Sequence, residues 1–311
     1  MPSFLYKYAG PNNIENIFSN QDVVSFRCSY PKDFNDPYEL FLTIDFKQDP
    51  AVLAFYEDAI GEMPQRPTTC FSKSPSVIPM WAHYASNHEG FVIEIDEQKL
   101  SSLFPEAGFG DISYQDEPNK SIQDILDRAF HIGKMRYMYF LHNAVFSAAY
   151  YTKNSCWNYE MERRMVLSEQ NIRRKGDLLL LDIPTTCVSS IIIGARASSE
   201  TKTMLSELAA KIKCRLFELK IGRSSTTPFF KTKKGRTSIF NGNALERSRK
   251  YCSNCGEPVY GKLITCSWCR INAAHKRQAA SRNPYRVLAG AGILESYIQG
   301  MEKISRGTGV K

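Results

Sequence analysis

The sequence predicts an α+β fold carrying a small zinc ribbon at its C-terminal end. Three observations lead there. Short alternating segments of strand length flank a long, aromatic-rich helical pattern over 121–151. The first 221 residues then close on a strand, a helix and a strand, over 188–193, 199–213 and 215–221. Beyond them, Cys252, Cys255, Cys266 and Cys269 form two C-x2-C pairs separated by ten residues. Domain limits follow as 1–222, a polar basic linker over 223–246, and a zinc-ribbon module with a helical tail over 247–311.

Residues 3–8 alternate Phe4, Tyr6 and Tyr8 against Lys7, which suits a first strand. A short helix is expected over 12–20 and a second strand over 23–28. Residues 30–39 hold two prolines with Asn35 and Asp36, the chemistry of a turn. Asn35, Asp36 and Glu39 there are either Asx-type turn residues or polar ligands. Residues 68–72 read as a strand, and 80–90 as a short helix stopped by Gly90. Trp81, Tyr84 and His88 would share one face of that helix. His83 and His88 stand five apart, a poor spacing for one metal on a helix. Residues 91–96 alternate as a core strand, and 178–183 form another.

The stretch 157–167, Trp-Asn-Tyr-Glu-Met-Glu-Arg-Arg-Met-Val-Leu, reads as a strand leaving a polar turn at 153–156. Side chains alternate across a strand, so Trp157, Tyr159 and Met161 would face the core. Glu160 and Glu162 would stand on the other face, roughly 7 Å apart. Like charges at that spacing need something positive or reactive opposite them. Either they form a reactive pair, or they are a solvated face balanced by Arg163 and Arg164.

Composition narrows the class. No run approaches the ~18 apolar residues of a membrane span. The N-terminus lacks a signal-peptide pattern, and nine cysteines, four clustered and five scattered, suit a reducing cytoplasm. From Arg223 to Arg286 fourteen Lys/Arg face two acids, whereas the rest of the chain has 26 basic and 30 acidic residues. Positive charge concentrated this way meets phosphate, or else solubilises a tail. Two tight C-x2-C knuckles present four thiolates to one tetrahedral Zn²⁺, and four cysteines with no open position make a structural site. Strands at 258–260 and 262–265 would form the ribbon's hairpin. Basic residues interleaved with Tyr251, Tyr260 and Trp268 make a nucleic-acid platform, RNA before DNA, or a surface for a protein partner.

Several of these segments together resemble a known family. Leu5-Tyr6-Lys7-Tyr8, Phe34-Asn35-Asp36-Pro37-Tyr38-Glu39, Cys70-Phe71-Ser72, Met80-Trp81-Ala82-His83-Tyr84 and Trp157 to Arg163 occur in the order of a bacterial family of unknown function related to ADP-ribosyltransferases. The resemblance covers about residues 3–221. It implies an ADP-ribosyltransferase-like split β-sheet in the first domain, with NAD as substrate. Family members occur in anti-phage defence, and one type is the nucleic-acid-modifying toxin of a toxin–antitoxin–chaperone system. An antitoxin partner, and a chaperone, are implied with it.

The same resemblance assigns roles. Glu162 is the catalytic carboxylate and Glu160 the base for the acceptor. Tyr6, Tyr8 and Ser72 hold the nicotinamide ribose and ring. Trp81, His83 and Tyr84 wall the pocket or support the core. The early strand departs from the family pattern, with Tyr6, Lys7 and Tyr8 where His or Arg is usual. Two function classes therefore stand: a mono-ADP-ribosyltransferase toxin acting on nucleic acid, and a zinc-ribbon nucleic-acid-binding protein whose large domain is a scaffold or a metal-dependent nuclease using Asp36, Glu39 or Glu160.

Overall fold

A computed structural model describes residues 3–36, 43–61, 63 and 65–307. The chain divides into two compact units, Met1–Ser248 and Arg249–Lys311. The strands of the first unit are β1 (Phe4–Ala9), β2 (Val23–Cys28), β3 (Thr68–Ser72), β4 (Phe91–Asp96), β5 (Gly108–Asp111), β6 (Ser113–Tyr114), β7 (Thr152–Lys153), β8 (Glu162–Val166), β9 (Arg173–Lys175), β10 (Leu178–Pro184), β11 (Val188–Ile193), β12 (Arg215–Lys220), β13 (Phe229–Lys231), β14 (Thr237–Phe240) and β15 (Leu245–Arg247). Ten of them form one mixed sheet in the order β15-β14-β13-β12-β11-β4-β1-β3-β8-β5. A second sheet runs β2-β10-β9, and β6 pairs with β7. The fold is mixed α+β, as the sequence predicts.

β4 lies centrally and is buried on both faces. Its Phe91, Ile93 and Ile95 join Leu5, Phe71, Ile191 and Met165 in the larger core, which also takes Phe26, Leu179 and Leu181 from the second sheet. Val92 points the other way, into a core of Tyr6, Tyr8, Trp81, Ile192, Phe217 and Phe230. Seven helices belong to this unit among the described residues: α1 (Ile14–Ile17), α2 (Pro50–Gly61), α3 (Ile78–His83), α4 (Glu97–Leu103), α5 (Lys120–Ile132), α6 (Met135–Tyr151) and α7 (Ser199–Lys211). α2, α5 and α6 build a separate cluster around Leu126, Leu141 and Val145.

One polar row crosses this apolar framework. Glu162 pairs with Ser72, Ser72 with Tyr6, Tyr6 with Glu94, Glu94 with Ser190, and Ser190 with Arg215. Glu94 is fully buried. It accepts hydrogen bonds from Tyr6 (3.2 Å), Ser190 (2.7 Å) and Arg215 (2.7 Å). A buried carboxylate is tolerated when its lone pairs are filled in this way.

Several expectations need correction. Residues 155–160 form a 3-10 turn, not the start of a strand, capped by Asn154 accepting from the Cys156 N–H. Met161 is left-handed (φ 47°), and β8 begins only at Glu162. Glu160 and Glu162 are therefore related by a reversal of backbone hand, not by strand alternation. The helical pattern over 121–151 is broken at Gly133 (φ 64°), which ends α5 before α6 starts. The helix expected over 12–20 is a 3-10 turn at 11–13 followed by α1.

The stretch 223–246 is not a linker. Phe229, Phe230 and Leu245 are buried, and β13 to β15 extend the main sheet by two hairpins. The short apolar pairs among its polar residues are enough to dock each strand. In the second unit the hairpin strands at 258–260 and 262–265 are absent; one bridge joins Tyr251 to Pro258. That unit ends in α8 (Ala273–Arg282), α9 (Pro284–Gly290) and α10 (Leu294–Gly307).

Gly90 does not stop a helix. α3 ends at His83, and Ser86, Asn87 and His88 are all left-handed, with φ of 48°, 52° and 71°. Gly90 serves close approach: a Cβ there would lie 2.1 Å from the carbonyl oxygen of Ala9. Gly194 is constrained alike, 2.1 Å from the His88 carbonyl oxygen. Because both obstacles are backbone, Gly90→Ala is expected to destabilise the first unit by about 3 kcal/mol, the upper range for overpacking. Urea unfolding of the variant against wild type measures it.

Candidate active site and metal centre

β3 pairs with β1 at Tyr6 and Ser72, while its other end bridges from Thr68 to Ser29, just past β2. Lys7 spans the gap between β1 and β3, donating to the Cys70 carbonyl (2.7 Å) and the Thr69 hydroxyl (3.0 Å). A cleft of about 330 Å³ opens here. It lies within the ~300–1,000 Å³ of small-molecule sites. Tyr6, Tyr8, Ser72, Tyr84, Glu160 and Glu162 all line it.

Both glutamates are buried, so the solvated-face alternative is wrong. Lys153 Nζ lies 2.7 Å from Glu160 Oε2 and 3.2 Å from Glu162 Oε2. Arg164, itself 1% exposed, donates Nε to Glu162 Oε1 at 2.6 Å, and its guanidinium stacks over Phe34 at 4.6 Å. Tyr84 donates to Glu160 Oε1 at 2.5 Å. Burial is the largest influence on both carboxyls. At Glu160 it outweighs Lys153 and Tyr84 and lifts the group above the ordinary glutamate range. At Glu162 Arg164 and Lys153 together outweigh it, and the group is held down to about 2. Two neighbouring carboxyls are thereby pushed apart, one a committed anion and the other able to take a proton.

The remaining predicted residues divide. Ser72 donates to the Glu160 carbonyl (2.7 Å), so its hydroxyl braces the turn that carries Glu160. Tyr8 donates to the Ser74 carbonyl (2.8 Å), and Tyr6 to Glu94. Trp81 is fully buried, donates to the Pro75 carbonyl and does not line the cleft. His88 stacks on it at 6.3 Å, brought there by the left-handed loop. His83 is exposed and lies outside the cleft lining, 6.3 Å from the ring of Tyr159. Glu39 lies outside the described residues. Arg163 turns away from the pair to Glu97 and Asp111.

Sequence reasoning assigned no site role to Lys153, Lys7 or Tyr114, whose hydroxyl accepts the Glu162 N–H at 2.8 Å. The need for positive charge opposite the two acids was the usable signal, and Arg164 answers half of it.

In the second unit the four sulfurs of Cys252, Cys255, Cys266 and Cys269 lie within 4.8 Å of one another. Cys255 and Cys266 are 3.8 Å apart. A tetrahedron with metal–sulfur bonds of about 2.3 Å has edges of about 3.8 Å, so the set fits one Zn²⁺. The backbone N–H of Cys269 points at the Cys266 sulfur (3.4 Å). Burial opposes ionisation of Cys252, but backbone donors around its sulfur outweigh it and bring the thiol down to about 6. These cysteines are the one group of three or more His, Cys, Asp or Glu among the described residues close enough to share a metal. Asp36 and Glu160 do not form such a group.

Fold and site define a mixed α+β protein with a carboxylate-floored cleft in one unit and a four-cysteine cluster that could hold a metal ion in the other. Residues 80–165 match a family described as protein of unknown function, DUF2971. The match spans Tyr84, Lys153, Glu160 and Glu162, and stops short of Tyr6, Ser72 and the cysteines. No curated protein and no solved structure matches the chain. Among the described residues no helix is long and apolar enough to cross a membrane.

Proposed function

We propose that the first unit is a mono-ADP-ribosyltransferase that moves ADP-ribose from NAD⁺ to nucleic acid, RNA before DNA. The observation that supports this reading is the register row Tyr6–Ser72–Glu162 on three adjacent strands, with all three residues lining one cleft. NAD⁺ loses nicotinamide as its C1′–N bond breaks, leaving an oxocarbenium ion. Glu162, held ionised, stabilises that cation. An acceptor N–H or O–H attacks C1′, its proton passes to Glu160 and then to solvent, and a new glycosidic bond forms. The product balance is ADP-ribosylated acceptor, nicotinamide and one proton.

The second unit supplies affinity for the polymer in this reading. It carries eleven Lys/Arg against three acids, and its Tyr260 and Trp268 rings are exposed. A free toxin of this kind harms its host, so an antitoxin and a chaperone partner in anti-phage defence belong to the same proposal. The exposed rings and charge also favour a second reading, nucleic-acid binding without transfer. NAD⁺ labelled in its adenylate half, incubated with the purified chain and RNA, DNA or cell protein, separates them. Label on RNA with matching nicotinamide release is expected. Binding of RNA with no nicotinamide release would select the second reading.

A further inference from the structure

Lys153 puts a buried ammonium where an apolar side chain would cost less. It ends β7, one residue before the Asn154-capped turn, and is 5% exposed. Besides its two carboxylate contacts, it sits 4.8 Å from the centre of the Trp157 ring. Two carboxylates this close and this dry do not both stay ionised without compensating charge. Arg164 compensates Glu162. Among the described contacts, the carboxylate of Glu160 has Tyr84 and Lys153 as its donors. The other groups facing the pair are Tyr114 from β6, Cys70 from β3, Lys7 from β1 and, within the turn, Tyr159. Lys7, Arg27 and Asp33 also line the cleft, and the Lys7 ammonium is engaged by Thr69 and the Cys70 carbonyl.

We propose that Lys153 is the positioning residue of the Glu160–Glu162 pair: one ammonium fixes both carboxylates at the cleft floor and supplies the charge that lets them stand together. What the carboxylates then do rests on the ADP-ribosyl-transfer reading; that Lys153 unites them does not. A nearby cation favours the ionised form of a carboxyl, so its removal raises the pKa of the pair. Activity that needs ionised Glu162 is then lost at higher pH. The acidic limb of the pH–rate profile moves up, whereas a merely structural defect lowers the rate by one factor at every pH.

The test uses the full chain, with Lys153→Met and Lys153→Arg compared with wild type. Nicotinamide release from NAD⁺ is measured against pH, and thermal melting is measured near pH 5 and near pH 8. Lys153→Met should shift the acidic limb upward by about one pH unit or more, while Lys153→Arg keeps the limb in place. Independently of activity, the melting-temperature loss in Lys153→Met should be larger near pH 8, where the unpaired buried carboxylate is charged, than near pH 5. An unmoved limb with an equal melting loss at both pH values overturns the proposal. If wild type releases no nicotinamide, the transfer reading fails, and the melting comparison alone decides the role of Lys153. Should Lys153→Met not fold, the double variant Lys153→Met, Glu160→Gln should fold again because the unbalanced charge is gone; its failure to do so also overturns the proposal.

Discussion

Glu162→Gln is expected to lower ADP-ribosyl transfer by about 10²–10³-fold, roughly 3–4 kcal/mol, the usual cost of losing one preorganised electrostatic contact to a developing charge. Glutamine keeps the shape and one acceptor oxygen, so Arg164 retains a partner and the fold persists. It loses the anion that would face the oxocarbenium. Some stability goes as well, because Arg164 then loses the charge of Glu162 and Lys153 keeps only that of Glu160; the assay is therefore run well below the melting temperature of the variant. Glu160→Gln should depress transfer to the acceptor more than NAD⁺ hydrolysis, because its proposed task is to take the acceptor's proton. Equal toxicity of wild type and Glu162→Gln in cells, at matched protein levels, would sink the transferase reading.

Cys255→Ser should abolish stoichiometric zinc binding and unfold the second unit. The apolar cluster of that unit consists of Cys252, Val259, Cys266 and Cys269. α8, α9 and α10 bury no residue. With so little core, the metal supplies the folding energy, on the order of 10–16 kcal/mol in small zinc modules. Two measurements check this: metal content per chain, expected to fall from about one to near zero, and two-transition melting. The transition belonging to the first unit should stay where it is. Undiminished zinc in Cys255→Ser would remove the assignment.

Much of the framework was legible in the sequence because alternation is a local signal. β1, β2, β4, β10 and β11 emerge close to where apolar and polar residues alternate, and the cysteine spacing led directly to one cluster. The site was half legible. Tyr6, Ser72, Tyr84 and both glutamates do reach one cleft. The path that brings Glu160 there was not readable, because a left-handed Met161 has no compositional marker; glycine or asparagine would have been one. Lys153 was hidden for a related reason: its partners lie seven and nine residues on, beyond the i,i+3 and i,i+4 pairs in which helix side chains meet. Of the two roles open to Trp81 and His83, Trp81 takes the core one, while exposed His83 takes neither. The strands β13 to β15 were lost among Lys, Thr and Gly, where strands of three or four residues leave too short a pattern.

The row from Glu162 to Arg215 also bears on how the chain finds its alignment. Apolar side chains tolerate sliding; a strand shifted by two residues still turns its oily side inward. Glu94 does not tolerate it. Moved two places along β1, it would lose the Tyr6 hydroxyl and face Phe4 or Tyr8. Glu94 would keep Ser190 and Arg215, but losing one donor to a buried carboxylate costs about 1–3 kcal/mol. One acid in the middle of the sheet thus acts as an indexing pin for six strands. The same pin that selects the β1–β4 pairing fixes, two strands away, which residue of β3 meets Glu162.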